Sequence, residues 1–259
     1  MLPKDVARLG ERLQAARLEI REIERLTAEV PDLSIPDAYA IQADGIARRF
    51  AAGERQVGLK MGLTSIAKRE QMNLGAPVYG VLTDRMAIPA GGTLKIASGI
   101  HPRAEPEVAF QVGHELSGTI SRAQAAAACT GVAASMEILD SRYRGFKYFS
   151  LPDVIADNSS SFMFVLGTFQ PLGALKLDRL SMTMRINGAI KQQATSDAIS
   201  GHPLDSVVQL CALLADRGEN LPAGSVVLAG AATAAEPLKA DDRVELEVEG
   251  LGTVGVNAG

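Results

Sequence analysis

The chain has 259 residues, of which 47% are hydrophobic and 22% are charged, with a formal net charge of -4 at pH 7. This length and composition predict a single globular domain over residues 1–259 with a sizeable core. The charge excludes the basic surface of a nucleic-acid-binding protein, and no apolar run approaches the roughly 18 residues of a membrane span.

The N-terminus and the two cysteines favour the cytoplasm. The first segment, MLPKDVARLGERL, is charged from the outset, which is not typical of a secretory signal peptide. Cys129 and Cys211 both lie in apolar, helix-like stretches, as reduced core thiols do. We therefore expect a cytoplasmic protein whose cysteines form neither a disulfide nor a metal site.

The N-terminal part of the chain is predicted to be helical. Apolar residues recur at spacings of three and four over residues 6–23. A second helix is expected over residues 36–52, with Ser34 as its cap. A third, short helix is expected to begin at Thr64 or Ser65 and to end near residue 75.

From about residue 78 the apolar pattern changes to a period of two. Strands are predicted for the runs VYGVLTDRMAI, PEVAFQV, VAASMEILDS and SFMFVLG. Ser121 and Gln124 form a capping box that opens a short helix between these strands. The dipeptide Asn187-Gly188 predicts a tight hairpin turn, and a further helix is expected over residues 203–216.

The run RVELEVEGLGTVGV near the C-terminus alternates apolar residues with Glu245, Glu247 and Glu249. This alternation predicts a strand whose acidic face is solvated. Together the elements predict an α+β fold, with a mainly helical region over residues 1–75 and a β-rich catalytic core over residues 76–259.

Three glutamates are the strongest indication of chemistry. Glu105 and Glu107 lie in HPRAEPEVAF, and Glu137 lies in the apolar stretch VAASMEIL. Alternate residues of a strand point the same way, so the first two carboxylates share a face and repel each other unless a cation lies between them. A third acid among apolar neighbours is costly to bury unpaired. The set is typical of a hard-cation site for Mg²⁺ or Mn²⁺, although solvated surface acids remain an alternative.

Lys60 is a second candidate, within the run GLKMGLTS. Its apolar neighbours leave two interpretations open: the side chain extends outward to solvent, or it is buried against an anion. Gly58 and Gly62 permit close backbone approach, and the N–H groups after Leu63 suit an anionic ligand. The spacing does not match the phosphate-binding loop of nucleotide hydrolases.

Polar residues elsewhere give weaker signals. The run ADNSSSF, over residues 156–162, is either a polar turn or a set of neutral donors for a carboxylate. Asp140 and Arg142 follow Glu137 and are expected mainly to form a structural ion pair or turn. The three histidines show no metal-ligand or catalytic-triad spacing.

Six motifs in order carry a resemblance to a known family: GLKMGLTS, PVYGVLTDRM, HPRAEPEVAF, SMEILDSRY, ADNSSSF and LPAGSVVLAGAATAA. From about residue 25 onward the chain resembles the hydratase/decarboxylase branch of the fumarylacetoacetate hydrolase superfamily. It is more similar to the decarboxylases of that branch, because the hydratases commonly carry an aspartate where Val78 stands in PVYG. The resemblance implies a mixed β-roll or β-sandwich body.

The resemblance also implies an activity and a site. It implies decarboxylation of 2-oxohex-3-enedioate, a small dicarboxylate keto acid of aromatic meta-cleavage catabolism, with Mg²⁺ or Mn²⁺ as cofactor. The metal ligands would be the three glutamates, and Lys60 would be the catalytic residue. Substrate-binding positions would be Leu63, Thr64, Ser65, Ser160 and Ser161. As partners, the family implies a homo-oligomer and a complex with the 2-hydroxypentadienoate hydratase.

Three questions stay open at this point. One alternative is hydration of 2-hydroxypenta-2,4-dienoate, which the valine at position 78 disfavours. A second alternative is a catalytically silent subunit that stabilises a partner enzyme. Finally, Glu236 in TAAEPL stands where the family leads us to expect an apolar residue, and a pocket position for it would imply a different substrate.

Overall fold

The structure is a computed structural model that describes residues 1–64, 76–146, 150–173 and 175–259. The predicted third helix, with Ser65, lies outside these residues. The described helices are α1 (Pro3–Leu18), α2 (Leu26–Glu29), α3 (Ile35–Ala51), α4 (Arg122–Ala128), α5 (Leu151–Ala156) and α6 (Pro203–Ala215). The first seven strands are β1 (Gln56–Gly62), β2 (Val78–Thr83), β3 (Ala87–Ile88), β4 (Thr93–Leu94), β5 (Arg103–Val112), β6 (Cys129–Leu139) and β7 (Ser161–Leu166). The others are β8 (Ser181–Ile186), β9 (Ala189–Thr195), β10 (Val226–Leu228), β11 (Glu236–Pro237), β12 (Arg243–Val248) and β13 (Gly252–Ala258).

These strands form two mixed sheets. The larger has the order β2-β1-β10-β5-β6-β7-β3, with β11 paired to β5, and the smaller has the order β4-β13-β12-β8-β9. The helical N-terminal segments pack on this β-rich body, α1 against α3 and α3 against α5. The α+β fold predicted from the sequence is confirmed.

The larger sheet curls strongly, and chain connectivity shows why. Strands β2 and β3 form its two edges, yet only Asp84–Met86 joins them. Four Cα–Cα steps span at most about 14 Å, whereas the edges of a flat seven-strand path would lie about 29 Å apart. The sheet therefore forms a half-barrel whose concave side we call the inner face.

Two apolar clusters cover the two sides of this sheet. The larger contains the buried residues of α1, α3, α6 and the second sheet, so it lies on the outer, convex side. The smaller lines the inner face and consists of Leu82, Met86, Ala109, Phe164, Val226 and Leu228. The inner face is thus partly apolar and buried, which lowers the dielectric around any charge placed there.

The first helix is shorter than predicted. It ends at Leu18, and Ile20 adopts a left-handed backbone with φ of 51°. This turn takes Ile23 out of the helix and into a parallel bridge with Tyr143 beside β6. The positions of the apolar residues after Leu18 are therefore set by this tertiary contact, although their spacing in the sequence continues the helical period.

Several local predictions are confirmed by the backbone. Ser34 accepts a hydrogen bond from the N–H of Asp37 at the start of α3. The capping box at Ser121 is present, and Asn187 and Gly188 have φ of 53° and 80° in the β8–β9 hairpin. The alternation in β12 also holds, since its three apolar side chains are buried.

Helix α6 and the cysteines belong to the core. The segment Ser196–Ala215 contains a window apolar enough by composition to cross a membrane. Within it, Leu204, Val207, Leu210 and Leu214 are buried against the rest of the protein, as in a core helix. Cys129 and Cys211 are free and buried, and burial raises their thiol pKa values to about 12 and about 11.

We expect Gly58→Ala to destabilise the fold by about 3 kcal/mol or more, at the upper end of overpacking costs. The added Cβ would lie 2.0 Å from the carbonyl oxygen of Val226 in the adjacent strand, where the backbone cannot yield without breaking the pairing. Gly45→Ala is the control: apart from the nearby backbone of α3 itself, no atom of the described residues lies within 4 Å of its added Cβ. That variant should gain up to about 1 kcal/mol. Denaturant unfolding measures both, and a parental midpoint for Gly58→Ala contradicts this packing.

Candidate active site

Three carboxylates meet on the inner face of the curled sheet. Glu105 and Glu107 come from β5 and Glu137 from β6, with Glu105 directly opposite Glu137 in the antiparallel ladder. One ligand atom from each lies within 4.8 Å of the others. Glu107 is 0% and Glu137 is 1% exposed, so these two are not solvated surface acids. The pairing register places the cluster where the two-residue period predicted a shared face.

The electrostatics of this cluster fit a divalent cation. Burial raises the pKa of Glu107 well above its ordinary value, and repulsion from Glu137 and Glu105 raises it further. One oxygen of Glu107 accepts the N–H of Gly230 at 2.9 Å. Its other oxygen and the hydroxyl of Ser135, directly opposite, have no hydrogen-bond partner among the described residues. An oxygen-binding cation would both coordinate the unpartnered atom and relieve the repulsion.

Lys60 is turned into the site and not toward solvent. In the sheet it lies opposite Leu228, which in turn lies opposite Ala109, and this register brings it to the inner face. The side chain is buried, with Nζ 3.1 Å from each carboxylate oxygen of Glu137. The hydroxyl of Ser161 donates to the same carboxylate at 3.3 Å. The burial of Glu137 raises its pKa, and the Lys60 charge opposes that rise.

Two glycines beside Lys60 make room for a turn from another part of the chain. A Cβ on Gly62 would lie 2.9 Å from the hydroxyl oxygen of Ser159 and 3.7 Å from Nζ of Lys60. A Cβ on Gly80, directly opposite Lys60 in β2, would lie 2.6 Å from the carbonyl oxygen of Asn158. Larger residues at either position would push the turn away from the lysine.

That turn, Asn158–Ser160, is called the serine turn below. Its three residues have φ of 48°, 55° and 58°, a left-handed conformation that is uncommon for residues other than glycine. Strain of this kind persists where the surroundings enforce it, and it clusters at functional sites. Ser159 is buried, and its hydroxyl has no hydrogen-bond partner among the described residues. This hydroxyl is therefore available to a ligand beside Lys60.

Arg142 holds the serine turn from behind. It is buried and forms an ion pair with Asp157, while Nη2 donates to the Asp157 carbonyl at 2.6 Å. Nη1 donates to the Ser161 carbonyl at 3.4 Å, so both ends of the turn are fixed. Burial raises the pKa of Asp157 to about 6 in spite of this arginine. Arg142 is thus the structural ion-pair residue that its sequence context predicted, with Asp157 as the partner and not Asp140.

The other predicted substrate-binding residues make different contacts in the structure. Leu63 has φ of 57°, and Thr64 packs against Gly230, where a Cβ would lie 2.5 Å from the threonine side chain. Thr64 therefore supports the N–H that binds Glu107. Ser160 is buried, and its carbonyl accepts the N–H of Asp140 at 2.9 Å. Ser65 lies outside the described residues.

Sequence reasoning selected Ser160 and Ser161 but missed Ser159. All three belong to the ADNSSSF run, so composition pointed to the segment. Which hydroxyl faces the site depends on the left-handed backbone of the serine turn, and the sequence carries no recognisable signal for it.

Val78 and Glu236 are placed differently relative to the cluster. Val78 lies on the inner face, and its Cγ2 atom is 3.3 Å from the position of a Cβ on Gly62, beside Lys60. Glu236 lies opposite Ala104 in β5, whose side chain points away from that of Glu105. Gln192 of the second sheet donates to its carboxylate. Glu236 thus links the two sheets and does not line the site.

Known proteins share this chain's sequence pattern. A family model described as fumarylacetoacetate (FAA) hydrolase C-terminal matches residues 46–257. A 4-oxalocrotonate decarboxylase from a Pseudomonas species is 43% identical over 249 residues, covering 96% of this chain and 96% of that protein. A 2-hydroxyhexa-2,4-dienoate hydratase from Comamonas testosteroni is 36% identical over 251 residues, covering 95% of each chain.

A solved structure shares the whole fold. It is the 4-oxalocrotonate decarboxylase from Pseudomonas putida G7, complexed with magnesium and adipate. The two folds agree with a TM-score of 0.97 at 36% sequence identity, over 100% of this chain and 98% of that one. The fold implied by the sequence motifs is confirmed by this likeness.

We expect Glu105→Gln, Glu107→Gln and Glu137→Gln each to weaken Mg²⁺ binding by more than about tenfold, the effect of residues that merely support metal ligands. Each change removes one anionic oxygen donor from the cluster, while the amide retains the shape of the side chain. Calorimetric titration with Mg²⁺ measures the affinity.

The matched control is Glu247→Gln, an acid on the solvated strand face that pairs with Arg185. It should bind Mg²⁺ like the parent, since exposed ion pairs contribute little. Parental Mg²⁺ affinity in all three site variants would rule out the cluster as the metal site.

Proposed function

The chain belongs to the fumarylacetoacetate hydrolase family, in which it is a carboxy-lyase similar to the 4-oxalocrotonate decarboxylases, and we propose that it removes CO₂ from 2-oxohex-3-enedioate. The observation that carries this proposal is the buried cluster of three carboxylates in contact with Lys60. Identity to proteins named decarboxylases reaches 43%, against 36% for the hydratase from Comamonas testosteroni. The reaction belongs to aromatic meta-cleavage catabolism.

The metal ligands would be Glu105, Glu107 and Glu137, which suit Mg²⁺ or Mn²⁺. When bound, the cation supplies Lewis-acid stabilisation of negative charge on the keto oxygen of the substrate. The carboxylates would determine where the cation, and therefore the keto oxygen, is held, because the pairing of β5 and β6 fixes their backbone positions. A magnesium complex of the similar Pseudomonas putida G7 decarboxylase supports the choice of a hard divalent cation.

Decarboxylation requires a group that accepts the electron pair of the broken carbon–carbon bond. Loss of the distal carboxylate as CO₂ leaves electrons that delocalise along the conjugated chain to the keto oxygen. Lys60 is the proposed catalytic residue, because its ammonium lies in the site beside Glu137, where it can stabilise that oxygen or supply its proton. The low-dielectric inner face strengthens this interaction relative to water.

Substrate binding is assigned to the polar rim beside Lys60. We propose that Leu63, Thr64 and Ser65 contribute backbone N–H groups, and that Ser160 and Ser161 contribute from the serine-turn side. Neutral donors bind a carboxylate without adding another charge to the cluster. The hydroxyl of Ser159, which has no hydrogen-bond partner among the described residues, joins this set.

Val78 favours decarboxylation over hydration. Adding water to a diene requires a positioned acid or base, and valine cannot transfer a proton. Its buried side chain occupies the inner face beside Lys60, where it limits the room for an attacking water. Loss of CO₂ requires no nucleophile, so an apolar residue here is compatible with it.

We propose a cytoplasmic enzyme that forms a homo-oligomer and associates with the 2-hydroxypentadienoate hydratase that consumes its product. The relatives are catabolic enzymes, and hydratases of the same family occur among them. A silent, partner-stabilising subunit is disfavoured by the contact of Lys60 with the carboxylate cluster.

The test of this function follows the ultraviolet absorbance of 2-oxohex-3-enedioate with the purified chain, in Mg²⁺ and in a chelator. We expect Mg²⁺-dependent consumption, release of CO₂ and 2-hydroxypenta-2,4-dienoate as the product, which the chain should leave unhydrated. Efficient conversion of that dienoate to 4-hydroxy-2-oxopentanoate would establish the hydratase alternative. Mg²⁺ binding without turnover of either compound would establish the silent subunit.

We expect Lys60→Met to lower kcat by at least about a hundredfold, the usual effect of removing a proton-transfer or charge-stabilising group. The methionine fills the same buried volume, so the fold should persist. Lys191→Met, at an exposed position in β9, is the control and should keep the parental kcat. Steady-state kinetics that remain parental in Lys60→Met would remove Lys60 from the catalytic machinery.

A further inference from the structure

Arg103 continues the row of charged residues on the inner face. It opens β5 two residues before Glu105, so both side chains point to the same side of the sheet. Arg103 lies opposite Leu139 in the ladder, as Glu105 lies opposite Glu137. The backbone positions of Arg103 and Glu105 are therefore about 6.8 Å apart along the strand, and Arg103 is the first residue of the row.

The guanidinium of Arg103 has a stacking partner but, among the described residues, no anionic partner. Its central carbon lies 4.5 Å from the ring centroid of Phe146, a cation–π arrangement. Among the described parts of the chain it forms no hydrogen bond and no ion pair. Five N–H donors in a planar fork thus remain for a ligand, and this fork matches the geometry of a carboxylate.

The backbone around Phe146 is strained in order to place this ring. Gly145 and Phe146 have φ of 69° and 47°, which is unusual for a bulky residue. Glu22 accepts the N–H of Gly145 at 2.7 Å and contacts Nε2 of His101 at 2.6 Å. The His101 ring meets Phe146 edge-on, with centroids 6.2 Å apart. Several contacts thus hold the ring against Arg103, as expected for a preorganised binding group.

We propose that Arg103 binds the distal carboxylate of a dicarboxylate whose other end lies at the glutamate cluster, and thereby selects dicarboxylates over monocarboxylates. This inference rests on the proposed function and specifies its substrate class. The step from Glu105 to Arg103 is comparable to the length of an extended six-carbon chain. Adipate, the ligand of the similar Pseudomonas putida G7 structure, is a six-carbon dicarboxylate.

The chemistry assigns Arg103 to binding and not to the reaction step. The guanidinium interacts with a carboxylate whose charge disappears as CO₂ leaves. It therefore stabilises the bound substrate more than the transition state, so its loss should raise KM and should not lower kcat. Loss of Lys60, on the opposite side of the cluster, should instead lower kcat.

The experiment compares adipate with hexanoate, which has the same length but only one carboxylate. Calorimetric titration of the Mg²⁺-loaded protein should show a clear preference for adipate. Arg103→Gln should lower adipate affinity by about ten- to a hundredfold, the range for a hydrogen bond to a charged group. Its hexanoate affinity should stay at the parental value. Arg144→Gln is the matched control, since this exposed neighbour pairs with Glu24 and should keep the adipate preference.

Arg103→Met provides a second variant if the glutamine variant does not fold, because its apolar side chain still packs on Phe146. A parent protein without preference for adipate, or an Arg103 variant that keeps the preference, overturns the proposal. The binding measurement does not depend on turnover. A chain that fails to decarboxylate yet shows an Arg103-dependent preference would refute the proposed activity and retain the carboxylate site.

Discussion

Repulsion among Glu105, Glu107 and Glu137 is the constraint on which the rest of the structure depends. Their ligand atoms lie within 4.8 Å of one another on a largely buried face, where like charges are strongly unfavourable. Lys60 offsets one negative charge by direct contact with Glu137. A divalent cation would match the remaining two, so lysine and metal together balance the three carboxylates. Buried charges that lack such compensation destabilise a fold, and this cost is the physical reason for proposing that the cluster binds a cation.

The backbone builds the space around this cluster. The short connection between β2 and β3 curls the sheet, so residues from β1, β5 and β6 converge on one concave face. Gly62 and Gly80 leave room for the serine turn, and Arg142 fixes that turn from behind. Gly62, Gly80 and Arg142 therefore support the site and are not proposed to contact the substrate.

Local patterns predicted much of this structure. The two-residue period placed Glu105 and Glu107 on one face, and the apolar surroundings of Glu137 indicated that it is buried. Lys60 was ambiguous, because a lysine in an apolar strand can extend either way until the neighbouring strands are known. Ser159 and Arg103 were missed, since one depends on a left-handed turn and the other on the curl of the sheet and the placement of Phe146. Glu236 was considered as a pocket residue because it stands where the family leads us to expect an apolar residue. Its hydrogen bond from Gln192 of the second sheet is a tertiary contact that the sequence does not indicate.

Whether the three glutamates hold the metal is tested by locating the ion in a crystal. Crystals grown with Mn²⁺, measured at wavelengths on both sides of the manganese absorption edge, would show its position by anomalous scattering. We expect one strong peak within coordination distance of carboxylate oxygens from Glu105, Glu107 and Glu137, with Lys60 outside the coordination sphere but beside it. A peak elsewhere, or none at this cluster in protein that decarboxylates with Mn²⁺, would show that these glutamates are not the metal ligands.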